Sequence, residues 1–198
     1  MNQSRARTFN VLALPLLSLS LLLAGSRAAQ ALPDAAAPAL LGITLGAEAG
    51  FAGPKVGTSG IPYYFYGSGG IGHIMGLKGE WLGGGNRPDL RNLSGQFSVM
   101  PTPLVTVVAE PGWTLLGGSS GPSLGLRATG SLPFVGLKLT GYTRISEVNS
   151  TAMTEIGMGL DYPVSKLLHL SISAIQFNGV QEPAGTLFLA GIKTKLGL

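Results

Sequence analysis

The stretch "LGITLGAEAGF", residues 41–51, separates cleanly by parity. Leu41, Ile43, Leu45, Ala47, Ala49 and Phe51 form one set, and every member is apolar. Gly42, Thr44, Gly46, Glu48 and Gly50 form the other, small or charged. A period of two is the signature of a strand with unlike faces. A helix would mix the two sets and carry three internal glycines, each costing about 1 kcal/mol relative to alanine.

The same alternation recurs downstream. In 134–145, Val135, Leu137, Leu139 and Ile145 oppose Lys138, Thr140, Tyr142 and Arg144. In 151–162, Ile156, Met158, Leu160 and Tyr162 oppose Glu155, Gly157, Gly159 and Asp161. The C-terminal "TLFLAGIKTKLGL" sets Phe188, Ala190, Ile192, Leu196 and Leu198 against Gly191, Lys193, Lys195 and Gly197. Weaker copies occupy 71–81, 93–100, 103–113, 123–132 and 167–177. "MPTP" (100–103), "SLPF" (131–134) and "DYPVSK" (161–166) read as tight turns, because proline fixes φ and removes a donor. Between them, 82–92, 114–122, 146–150 and 178–185 read as longer loops. An even strand count, required for both chain ends to meet on one side, places a further strand in 56–66. The expectation is a closed antiparallel up-and-down β-barrel of ten strands, or eight with the first segment outside.

Ahead of the first strand, Arg5 and Arg7 precede an apolar run at 11–25 and an Ala29-Gln30-Ala31 cleavage pattern. Residues 1–31 therefore read as a secretory signal peptide, 32–40 as a short linker, and 41–198 as one barrel domain. The signal holds Arg5, Arg7 and Arg27, so removing it takes the 13 Lys and Arg to 10 against 9 Asp and Glu. A near-neutral domain gives no basic footprint for nucleic acid. With no cysteine and two histidines, thiolate zinc sites and disulfides are excluded; no cofactor and no metal are expected.

"YFYGSGGIGHIMG", residues 64–76, contains a literal G-x-G-x-x-G at Gly67, Gly69 and Gly72, with Asp89 near the ribose-binding distance. The helix required after that motif is missing, since Gly76 and Gly79 interrupt "GHIMGLKGEW". Gly67, Gly69 and Gly70 read as a turn at 67–70, and Gly72 as part of the small-residue face with Ile74 and Gly76. "GGSSG" at 117–121 matches a nucleophile-elbow pattern and also lacks its helix.

Two barrel polarities fit the alternation. A soluble ligand-binding barrel hides its apolar face, and a membrane barrel shows it. Here glycine sits between the charges of the polar face. Glycine makes room in a narrow lumen, whereas on a solvent face it only weakens a strand. Phe51, Trp81 and Trp113 fall at strand ends beside longer loops, and Tyr162 at a tight-turn end, the two levels of membrane-interface aromatics. The chain over 41–198 resembles the small bacterial outer-membrane β-barrel class, with Leu198 where that class often ends in an aromatic residue. The resemblance implies a porin-like envelope protein in the outer membrane, contact with outer-membrane lipids, and recognition by the assembly machinery through the last strand. A monomer is expected. The other reading is a periplasmic soluble β-barrel binding an apolar ligand.

The polar face supplies expected lumen ion pairs among Glu48, Lys78, Glu80, Glu110, Arg127, Lys138, Arg144, Glu155 and Lys193. Counting from the turns puts Arg127 opposite Lys138, with Glu110 reaching Arg127 and Glu155 reaching Lys138 or Arg144. Barrel closure brings Glu48 toward Lys193. The pairs would plug the lumen, leaving at most minor small-solute passage and a structural or surface-interaction role. "HLS" also resembles the His-x-Ser arrangement of outer-membrane lipid A deacylases. That resemblance would make His169 the base, Ser171 the nucleophile and Glu182 the orienting acid of an acyl hydrolase. Ile172 stands where that family has asparagine.

Overall fold

The computed structural model describes residues 41–53, 60–71, 74–85, 88–101, 105–132, 135–179 and 182–197. The expected signal peptide (1–31), the linker (32–40), Gly72 and Leu198 lie outside these described residues. Ten strands run in order: β1 Leu41–Ala52, β2 Tyr63–Ile71, β3 Met75–Gly83, β4 Leu90–Pro101, β5 Val105–Leu116, β6 Ser119–Leu132, β7 Leu137–Val148, β8 Thr151–Pro163, β9 Leu168–Gly179 and β10 Glu182–Gly197. Each pairs antiparallel with the next, and β1 closes on β10 from Gly42 opposite Gly197 to Ala52 opposite Leu187. The sheet has no free edge, so each strand finds hydrogen-bond partners on both sides.

The side chains alternate as the sequence demands. Ile43, Leu45, Phe51, Leu93, Leu126, Leu139, Ile156, Ile172, Ile192 and Leu196 all point out and are exposed. Glu48, Lys78, Glu80, Glu110, Arg144, Glu155, Asp161 and Lys193 point in and are buried. A soluble barrel would reverse this, so the reading as a soluble carrier is overturned. An apolar exterior around a polar interior defines a transmembrane β-barrel. The nine residues of β2 and β3, the shortest strands, reach the ~9–11 needed to cross a bilayer.

Three expectations about connections are corrected. Gly67, Gly69 and Gly70 lie within β2, paired with Gly79, Leu77 and Gly76 of β3. The strand continues through them because both β1 and β3 supply a hydrogen-bond ladder there. Next, the supposed loops at 114–122 and 146–150 are two-residue turns. Gly117 and Gly118 have φ of 56° and 100°, and Asn149 and Ser150 have 52° and 58°. Left-handed values at both central positions match the right-handed twist of the flanking strands and let them run on to the turn. Only the β1–β2 and β3–β4 connections are long. Finally, the β6–β7 register differs by four residues from the count made at Pro133. Ser131 faces Lys138, and Arg127 faces Tyr142, because the turn extends to Gly136 at φ 65°.

Candidate functional site

The lumen is built in three layers between the end where β1 begins and β10 ends, here the turn end, and the opposite, far end. The far-end layer is apolar. Leu82, Leu90, Leu116, Met153, Phe177 and Leu187 all turn inward there and pack together with Tyr64, Val148, Ile175 and Leu189. This layer was not expected. In "TLFLAG" the inward Leu187 and Leu189 flank the outward Phe188, so the continuous apolar run hides the alternation.

The middle layer is ionic. Glu80 is its hub, with Lys78 Nζ 2.5 Å and Arg127 Nη2 3.5 Å from Oε1. Arg144 Nη2 donates to Glu80 Oε2, and Tyr64 donates its hydroxyl to Oε1. Arg127 Nε donates to Glu110 Oε1 at 2.9 Å, and Gln96 Nε2 donates to the same oxygen at 3.0 Å. Arg144 Nη1 donates to Glu155 Oε2 at 3.0 Å. Three acids thus face three cations, and the side chains of Glu80 and Arg144 are 2% and 1% exposed. A buried charge is costly without a partner, and each charge of this layer has one of opposite sign, although Lys78 Nζ and Arg144 Nε make no hydrogen bond among the described residues. Glu80 on β3 and Arg144 on β7 are not on adjacent strands, so their contact bridges the lumen.

Two tyrosines show what the inward glycines are for. Tyr66 lies over Gly46, where an added Cβ would meet ring atom Cζ at 2.1 Å. Tyr142 lies over Gly157, where a Cβ would meet Cε1 at 2.2 Å. Each glycine is the direct cross-strand partner of its tyrosine. Each tyrosine then donates to a glutamate two positions from that glycine, Tyr66 to Glu48 at 3.5 Å and Tyr142 to Glu155 at 2.6 Å. The Arg127 guanidinium also rests 4.5 Å from the Tyr142 ring centroid, a cation–π contact.

The turn-end layer is polar and narrower in charge. Lys193 Nζ donates to Asp161, not to Glu48 as barrel closure suggested. The register explains the change: Lys193 faces Gly46 and His169, and Glu48 faces Gly191. Glu48 instead accepts from Ser173 Oγ at 2.5 Å. Lys138 stands opposite Ser131 and Asp161. A cavity of about 80 Å³ remains between Thr44, Ser68, Thr129, Thr140, Asp161 and Lys193.

His169 and Ser171 are in this layer, buried and facing the lumen rather than lipid. Neither His169 Nδ1 nor Ser171 Oγ has a hydrogen-bond partner among the described residues, so they do not activate one another. Glu182 begins β10 opposite Gly179, ten residues along β9 from His169. At ~3.3 Å per residue the backbones of Glu182 and His169 are roughly 33 Å apart. The acyl-hydrolase triad is not assembled.

The aromatic positions are on the outer wall. Phe51, Trp81 and Trp113 are exposed toward the far end, and Tyr162 toward the turn end. Phe51 stacks on Phe188 at 5.4 Å, and Trp81 meets Tyr63 edge-on at 5.6 Å.

No family model matches the sequence, and no curated protein matches it. Among solved structures, the barrel is similar to a KdgM porin at a TM-score of 0.49 and 8% identity, covering 76% of this chain and 98% of that one. It is similar to an anion-selective porin from Comamonas acidovorans at 0.40 and 16%, covering 72% and 52%. It is also similar to the attachment invasion locus protein Ail of Yersinia pestis at 0.31 and 11%, covering 79% and 97%. The class itself, a transmembrane β-barrel of outer-membrane type, follows from the closure and the polarity of this chain's own sheet.

Proposed function

We propose that the protein is a resident of the bacterial outer membrane whose lumen is closed at rest. Its role is structural or surface-interactive, and it is not an enzyme. Residues 1–31 direct export and are removed, the last strand is read by the assembly machinery, and the barrel stands as a monomer among outer-membrane lipids. The turn end, where β1 begins and β10 ends, faces the periplasm. The observation that carries the closed reading is the contact of Glu80 with Arg144 across the lumen, backed by the apolar layer beyond it. A charged ring alone passes selected ions, whereas an apolar constriction excludes water and hence all of them. Planar-bilayer recording of the purified, refolded mature protein tests this. No stable channel is expected. Large, stable wild-type currents would replace the closed barrel by a porin-like one.

A further inference from the structure

The glycines of β2 and β3 that face outward have no part in the lumen. Gly67 and Gly79 are cross-strand partners, with Leu45 beyond Gly67 and Leu93 beyond Gly79. One row nearer the far end, Ala47, Phe65, Trp81 and Arg91 are partners in turn. The exposed side chains of Leu45, Phe65, Trp81 and Ile192 rise around a low floor of Gly67, Gly79 and the small Ala47, leaving a groove of about 610 Å³. That volume is within the ~300–1,000 Å³ typical of ligand pockets.

Among the described residues the space is little used: Leu45 Cδ2 leans over Gly67, 3.2 Å from where a Cβ would stand. A Cβ on Gly79 would meet no atom within 4 Å. Gly46 and Gly157 in the lumen are covered by tyrosine rings, but Gly79 weakens its strand without return from any described neighbour. The wall faces hydrocarbon, so an occupant of the groove is apolar and chain-like. At the far-end rim the Arg91 guanidinium sits 5.2 Å from the Trp81 ring centroid. Its ion pair with Asp89 spans 3.5 Å between side chains 60% and 40% exposed, which leaves guanidinium N–H groups open to an anion. A cation at interface level beside an acyl-sized slot matches a phosphate head above a fatty chain.

We infer that the outer wall of β1–β3 binds one acyl chain of an anionic, phosphate-bearing lipid in this groove, with its phosphate at Arg91. This rests on the reading of the wall as lipid-facing. The chain has two tryptophans, so Trp113→Phe leaves Trp81 as the only tryptophan, excited selectively over tyrosine, and Trp81→Phe leaves Trp113 as a reference outside the groove. The mature protein is reconstituted in phosphatidylcholine vesicles containing equal small fractions of acyl-brominated phosphatidylglycerol or acyl-brominated phosphatidylcholine. Trp81 should be quenched about two- to fivefold more effectively by the anionic lipid, the scale of one surface cation, and Trp113 equally by both. Gly79→Leu, which fills open space, and Arg91→Gln should each bring Trp81 to parity. Parity in the parent, or a preference surviving Gly79→Leu, would overturn the site alone. Absence of quenching at both tryptophans would instead overturn the lipid-facing reading beneath it.

Discussion

Replacing Glu80 by glutamine tests the ionic layer at its hub. The amide keeps the side chain's size but removes the charge that Lys78, Arg127 and Arg144 share. Those three cations are then left with Glu110 and Glu155, one positive charge in excess. Removing one partner of a buried pair costs about 3–5 kcal/mol, because the remaining charge stays desolvated. The lost acceptor for Tyr64 belongs to the same network, so its share is contained in that figure rather than added. Urea titration in phospholipid vesicles reads the loss, with the folded fraction followed by heat-modifiable gel mobility. For a slope of about 2 kcal/mol/M, the midpoint should fall by about 1.5–2.5 M. Adding Arg144→Met to Glu80→Gln restores charge balance and should recover at least about 1 kcal/mol. A single-variant loss below about 1 kcal/mol, the value of an exposed pair, or a double variant as weak as the sum of its parts, would refute the reasoning.

Glycine position should decide tolerance. Gly46→Ala pushes a methyl into the Tyr66 ring and should cost about 1–3 kcal/mol, whereas Gly79→Ala meets open space and should stabilise by up to about 1 kcal/mol in the same titration. Asp89→Asn breaks an exposed pair with Arg91 and should change stability by no more than about 1 kcal/mol, with the difference vanishing in high salt. Ser171→Ala should leave the acyl-chain pattern of membrane lipids unchanged by mass spectrometry, since its hydroxyl faces the lumen and His169 does not hold it.

The strand content was legible because the outward face is apolar at nearly every second position, as in Ile43, Leu45 and Phe51. Hairpin neighbours were legible only where the turn could be located. Glu110 with Arg127 and Arg144 with Glu155 sit across two-residue turns whose register survives an error in loop length. Arg127 with Lys138 did not survive, since the turn runs on to a left-handed Gly136. Contacts across the lumen were beyond reach. Glu80 with Arg144 joins β3 to β7, and Asp161 with Lys193 joins β8 to β10, and no counting along neighbouring strands reveals them. Gly67, Gly69 and Gly70 misled because composition marks a turn, and only pairing on both sides shows that the strand continues.

The polarity of the wall is tested most directly at two adjacent positions of β9. Ile172 points out and is 62% exposed, and Ser171 points in and is 4% exposed. The chain has no cysteine, so Ile172→Cys and Ser171→Cys each give a single site for a nitroxide. In vesicles, the label at 172 should collide freely with oxygen and be shielded from a water-soluble nickel complex. The label at 171 should be immobilised and screened from oxygen in the bilayer. A label at 172 open to nickel, with that at 171 bathed in oxygen-rich hydrocarbon, would contradict the account.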